Sequence, residues 1–330
     1  MVRFSPPSYQ QSNILTFTLH LRWPVISGSV NTEAIDELAS SFSRVHQLHR
    51  LETIKLEFTP TYDNRWPATS DSRDRLSLQA SILGALAASF RVRASSKLTS
   101  LSLLNIRASD PTPLETLPLQ NILRTLRCLQ LSAVSDIAPD PVTFRDRWRY
   151  FWSTFSSCMV PVQTQIDLTE LTLHSDKAVG GLDSLSLREL HFPRLAVLSL
   201  RNIVFNPIQD DEVFVLRHAA TLVRLELLTC KVLMGVNRLP APAQSKYTNL
   251  AGEVEMSFRQ HWDRIWDRFA AGLTAVVTLN VYERYNDREA RYVHRRGGLY
   301  TIISAIKSRN EADLAALQRF RMTVAARSTV

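Results

Sequence analysis

The side chains that could carry chemistry are scattered rather than clustered. Histidines stand at His20, His46, His49, His174, His191, His218, His261 and His294. His46 and His49 are three apart on an expected helix and could share one face, but a metal site needs more ligands at matching spacing, and H-E-x-x-H does not occur. The acidic run Asp210-Asp211-Glu212 precedes an apolar stretch and reads as a helix N-cap rather than a cation site. No G-x-S-x-G elbow is present, and Cys158 lacks the flanking residues of a nucleophile. Neither G-x-G-x-x-G nor G-x-x-x-x-G-K-[ST] occurs, and the chain has 9 glycines in 330 residues where average usage of about 7% would give about 23. Phosphate-cradling loops are therefore not expected. The three cysteines, Cys128, Cys158 and Cys230, are odd in number and lack C-x-x-C spacing, which argues against a disulfide framework or zinc ribbon and for a reducing intracellular compartment. No cofactor and no catalytic residue is expected.

Charge is uneven. The formal net charge is +8, but from Arg284 to the end ten Lys and Arg face four Asp and Glu, leaving +2 for residues 1 to 283. Arg284, Arg288, Arg291, Arg295 and Arg296 thus form a candidate patch for an acidic ligand or RNA. Arginines among aromatics at Arg145 to Phe155 and Arg259 to Phe269 also resemble a base-stacking surface, yet their aromatic spacing is that of a buried helix stripe, and nucleic acid is not the favoured partner. Met1 to Ser12 has no signal-peptide core. The longest apolar runs are about half the roughly 20 residues that span a bilayer, so a cytoplasmic or nuclear protein is expected.

These residues must be held by something, and the leucines show what. Leucine occurs 45 times, and L-x-x-L-x-L recurs at Leu98/Leu101/Leu103, Leu126/Leu129/Leu131, Leu168/Leu171/Leu173, Leu195/Leu198/Leu200 and Leu222/Leu225/Leu227. Looser copies stand at Ile14/Phe17/Leu19, Leu51/Ile54/Leu56 and Val276/Leu279/Val281. The last two apolar residues, two apart, point to one face of a short strand. One copy cannot bury that face, whereas copies stacked side by side build a parallel sheet over a continuous core. The expected fold is α/β: an irregular leucine-rich-repeat solenoid, or horseshoe, of about eight repeats over residues 1–282, with parallel strands and helical spacers. A basic, partly helical cap over 283–330 follows. Cys230, three after Leu227, matches the consensus turn position; Ile106, Val134, Asp176 and Ile203 there do not.

The spacers, longer than compact repeats need, read as helices: Asn31 to His49, Ser72 to Val92 with an Ile82/Leu83/Leu86/Phe90 face, Glu212 to Ala220, and aromatic stripes through Phe144 to Phe155 and Phe258 to Leu273. Asn310 can cap a last helix through Leu314, Leu317 and Phe320.

The stretch from Phe192 to Ile203, then Val213 to Ala220, Thr221 to Leu227 and Cys230, resembles the leucine-rich region of basidiomycete fungal F-box proteins, and the likeness runs over about Phe151 to Arg327. In that family an F-box docks a Skp1-type adaptor of a cullin ubiquitin ligase while the repeats select the target. Met1 to Leu51 departs from the pattern: it has no recognisable F-box, the element a Skp1-type adaptor would need.

In L-x-x-L-x-L the residues between and just after the strand leucines point away from the core. In register these are Thr53/Lys55/Glu57, Ser100/Ser102/Leu104, Cys128/Gln130/Ser132, Glu170/Thr172/His174, Val197/Ser199/Arg201, Arg224/Glu226/Leu228 and Thr278/Asn280/Tyr282. This mixture suits a protein surface better than a polyanion. The expectation is a non-enzymatic protein-binding scaffold whose concave face uses Glu170, Thr172, His174, Ser199, Arg201, Arg224 and Glu226. By the resemblance, it would be the recognition region of a ubiquitin ligase adaptor.

Overall fold

The structure is a computed structural model that describes residues 16–21, 32–48, 50–58, 71–91, 98–108, 116–135, 141–159, 167–180, 185–207, 211–237, 255–257, 260–282, 292–296, 299–303 and 307–328. The chain is a mixed α/β protein with mostly parallel pairing, and it divides into two compact units, Met1–Leu168 and Thr169–Val330.

In the first unit β1 (Thr16–Leu21), β2 (Thr53–Phe58), β3 (Ser100–Arg107) and β4 (Cys128–Val134) pair in that order, all parallel. Parallel neighbours need a long return path, and α1 (Thr32–Phe42), α2 (Asp71–Arg91) and α3 (Leu117–Leu123) lie on those paths; α4 (Pro141–Met159) follows β4. Leu56, Leu103 and Leu131 stand in one register row, and all three are buried. On α2 the expected face is buried at Ile82, Leu83 and Leu86. Its Gln79 also receives the Arg107 N–H on Oε1 at 2.7 Å and donates Nε2 to the Arg107 carbonyl at 3.0 Å, closing the end of β3. On α4, Trp152 meets Trp148, Phe151 and Phe155 edge-on.

In the second unit β5 (Glu170–Val179), β6 (Val197–Phe205), β7 (Arg224–Leu228) and β10 (Thr278–Tyr282) form a parallel run. The end of β6 also pairs with β8 (Lys231–Asn237) through Val204 and Phe205. β8 in turn holds β9 (Glu255–Ser257) antiparallel and β11 (Tyr292–Arg296) parallel, and β11 forms a hairpin with β12 (Leu299–Ile303). The strand runs β8, β9, β11 and β12 are additions to what the leucine pattern foretells. Gly297-Gly298 between two short β-prone runs was the available signal for the last pair.

All eight leucine copies lead into a strand, and a backbone device joins five pairs of successive copies. The carbonyl after the first leucine accepts two N–H groups from the next copy: Glu52 from Thr99 and Ser100, Thr99 from Arg127 and Cys128, Thr169 from Ala196 and Val197, Ala196 from Val223 and Arg224, and Val223 from Val277 and Thr278, at 2.7 to 3.1 Å. A second device sits two residues after the last leucine. Asn105, Asn202 and Thr229 there have φ of 57°, 56° and 52°, a left-handed turn that asparagine tolerates better than most residues. Asn202 Nδ2 donates to the Ser175 carbonyl at 2.7 Å, and Thr229 Oγ1 donates to Asn202 Oδ1 at 2.6 Å, so copies 27 residues apart are tied in series. The bonding side chains of the turn therefore include the residue just before the position occupied by Cys230. Cys230 itself rests its sulfur 3.4 Å from the Leu200 carbonyl, and burial pushes its thiol up to about 12.

Helices α5 (Asp211–Arg217), α6 (Trp262–Gly272) and α7 (Lys307–Ser328) complete the unit. Trp262, Ile265, Trp266 and Phe269 of α6 are buried and pack on Phe205 and Phe320. α7 begins at Lys307, before Asn310, and buries Asp313, Ala316, Leu317, Phe320 and Val324 while Leu314 stays exposed. The inward place falls to Asp313 because the start of α6 needs a cap. Asp313 Oδ1 accepts the Asp263 N–H at 3.0 Å, and Tyr292 Oη accepts the Trp262 N–H at 3.1 Å while donating to Asp313 Oδ2 at 2.7 Å. Arg327 caps the other end, donating to the Leu273 and Ala270 carbonyls.

Candidate functional site

The polar side chains of the second unit converge on the outward face of β5, β6, β7 and β10. Parallel register puts them in three rows: Glu170, Val197, Arg224 and Thr278; then Thr172, Ser199, Glu226 and Asn280; then His174, Arg201, Leu228 and Tyr282. The alternating leucines force this arrangement, since Leu171, Leu173, Leu198, Leu200, Leu225 and Leu227 are all buried on the opposite face.

The centre is a hydrogen-bonded network. Glu226 Oε1 accepts Nε of Arg224 at 2.9 Å and Nδ2 of Asn280 at 2.9 Å. Burial alone would raise the Glu226 carboxyl, but hydrogen bonds from Asn280, Arg224 and Ser199 together hold it below the usual carboxylate range. Ser199 is buried and lies 3.0 Å from His174 Nε2. Which of the two donates follows the His174 tautomer. Burial, reinforced by the charge of Arg201, lowers the His174 pKa to about 4 and keeps the ring neutral near pH 7.

Serine, histidine and glutamate in contact invite comparison with a nucleophilic triad, and the order is wrong for one. A triad has histidine between the serine and the acid, ready to take the serine proton. Here Ser199 lies between His174 and Glu226, which share no hydrogen bond among the described residues, so the acid does not stand behind the histidine.

Of the residues expected from sequence, the structure brings Ser199, Glu226, Arg224 and His174 into this network and sets Thr172 in the same row as Ser199. Glu170 is exposed at the head of β5 and Arg201 half-buried beside His174. Asn280, absent from the expected site, supplies the bond that ties β10 to Glu226. Its signal was its register with Glu226 on the adjacent strand of the repeat. Of the expected basic patch, Arg284, Arg288 and Arg291 lie outside the described residues, and Arg295 and Arg296 belong to β11, their side chains likewise outside what the structure describes.

Elsewhere, Asp211 Oδ2 accepts the Asn206 N–H at 3.0 Å, and Glu212 accepts from Gln260 and pairs with Arg268. Both acids at the start of α5 are thus committed within the fold. Among the described residues no group of three or more His, Cys, Asp or Glu could hold a metal ion, and no helix is long and apolar enough to cross a membrane. No family model, curated protein or solved structure matches this chain, so the β5–β6–β7–β10 face is the candidate site on its own geometry.

Proposed function

We propose that the chain is a leucine-rich-repeat protein that works as a non-enzymatic binding scaffold, with a protein partner on the β5–β6–β7–β10 face. The observation that carries this is the face itself: three rows of mixed polar, charged and apolar side chains on a rigid parallel sheet, braced by the His174–Ser199–Glu226–Arg224/Asn280 network. A surface braced before binding loses little side-chain entropy on association. The repeat identity is supported by the recurring doubly accepting carbonyl and by the 27-residue tie through Ser175, Asn202 and Thr229. The resemblance to the repeats of fungal F-box proteins extends the reading: the bound protein would be a target for ubiquitin transfer, and binding of a purified Skp1-type adaptor would be measured separately.

The test is quantitative capture of partners by the wild-type chain and by a chain carrying Arg201→Glu and Arg224→Glu. Reversing both cations introduces like-charge contacts and should remove the partners that use this face. Unchanged capture of every partner would remove the proposal.

A further inference from the structure

Most charges on this face are spoken for, and two are not. Arg224 and Glu226 neutralise each other, and Asn280 and Ser199 add to the same carboxylate. Among the described residues Arg201 and Glu170 have no ion-pair partner. They sit on neighbouring strands, but in different rows: Arg201 is level with His174 and Glu170 with Val197. Four residues of strand separate the rows, about 13 Å at roughly 3.3 Å per residue, too far for a direct pair. The face is therefore neutral in sum and polarised along the strands.

The surroundings of the two charges differ. Arg201 shares its row with Leu228 and with Tyr282, which is 60% exposed at the end of β10. Asn280 on the same side of β10 donates to Glu226, which places the outward residues of β10, Tyr282 included, on the Arg201 side of the sheet. His174, neutral beside Arg201, adds no second cation. One guanidinium next to an apolar shelf matches one carboxylate carried beside an apolar group; a polyanion would meet Glu226 and Glu170.

Resting on the reading of this face as a protein-binding surface, we propose that its occupant is an extended protein segment laid along the strands. It places an acidic side chain on Arg201, a large apolar side chain within two positions of that acid on Leu228 and Tyr282, and a basic side chain four positions away on Glu170. In an extended segment residues four apart point the same way and span the same distance as the two rows, so the periods agree. Guanidinium-to-carboxylate bonds supply the strong directional contact.

The experiment is selection from a randomised nonapeptide display library on the full chain, repeated on Arg201→Glu and on Arg201→Lys. Pools from wild type should be enriched in an acid with an apolar residue within two positions and a base four positions away. Synthesised representatives should lose at least about tenfold in affinity on Arg201→Ala, lose less on Arg201→Lys, which keeps the charge but not the fork of donors, and weaken on Glu170→Lys. Selection on Arg201→Glu should exchange the acid for Lys or Arg. Binders that compete for the face but show no acid enrichment, or the same pool on Arg201→Glu, would overturn the charge pattern and leave the scaffold reading standing. Pools indifferent to Arg201, Glu170 and Leu228→Asp alike would overturn both.

Discussion

Lowering the pH should destabilise the second unit through one buried ring, His218. Its Nε2 accepts the Phe192 N–H at 3.0 Å, so Nδ1 carries the proton and donates to the Phe214 carbonyl at 2.7 Å. Protonating Nε2 would break the first bond and place a charge in an apolar setting between Phe192 and Phe214, with His191 stacked at 5.3 Å and Arg217 adding positive charge. Burial is the main cause that lowers the pKa from 6.5 to about 4. Because the folded value lies below the unfolded one for a base, the contribution is complete above about pH 6.5 and is lost as the pH falls toward 4. At pH 5 the loss is about 2 kcal/mol, and well below pH 4 about 3 kcal/mol. His174, depressed to about 4, acts in the same direction. The assay is the ring-proton NMR titration of His218 in the folded chain, paired with urea unfolding at pH 7.5 and pH 5.0 for wild type and His218→Gln. The resonance should stay flat from pH 8 to pH 5, and the variant should lose about 2 kcal/mol of the wild-type pH dependence. Titration of His218 near 6.5 would refute the reasoning whatever the variant does.

Two pairs of substitutions probe the backbone and the helix caps. Gly180 has φ of +120°, and an added Cβ would lie 2.6 Å from the Val204 carbonyl oxygen, whereas the same atom at Gly84 in α2 meets nothing within 4 Å. Thermal unfolding should therefore show Gly180→Ala destabilised by about 1 to 3 kcal/mol and Gly84→Ala stabilised by up to about 1 kcal/mol. Asp313→Ala should cost about 1 to 3 kcal/mol by leaving the Asp263 N–H and the Tyr292 hydroxyl without their acceptor. Arg319→Ala, which breaks the exposed pair with Asp267, should change stability by under about 1 kcal/mol in chemical denaturation.

The strands of the repeat were legible because their signal is a burial pattern with period two, written in leucine. Register followed as well: once Leu173, Leu200 and Leu227 share a row, His174, Arg201 and Leu228 must share the next. What the leucines could not show was which outward residues would bond. Asn280 reaches Glu226 from the neighbouring strand, and the choice of Arg224 over Arg201 as the partner of Glu226 depends on rotamers and not on spacing. The Asn202 turn is a different matter: consensus spacing points to Cys230, whose sulfur does reach the Leu200 carbonyl, while the left-handed residue one place earlier adds a second tie that the spacing does not mark. Strands β8, β9, β11 and β12 carry no repeat and few leucines. Leu314 and Asp313 exchanged places because an uncapped helix start outweighs one exposed leucine.

The doubly accepting carbonyl gives the fold a direction. In all five cases the oxygen belongs to the earlier copy and both N–H groups to the later one, so each of those five copies is completed by its successor. A chain emerging from the ribosome meets these acceptors in the order they are needed, each finished strand offering a docking oxygen to the segment still being made. Domains fold as they are synthesised from the N-terminus, and here assembly can advance copy by copy in step with translation. Duplicating one 27-residue copy, Leu195 to Thr221, would lengthen the sheet without asking any earlier copy to change its bonds.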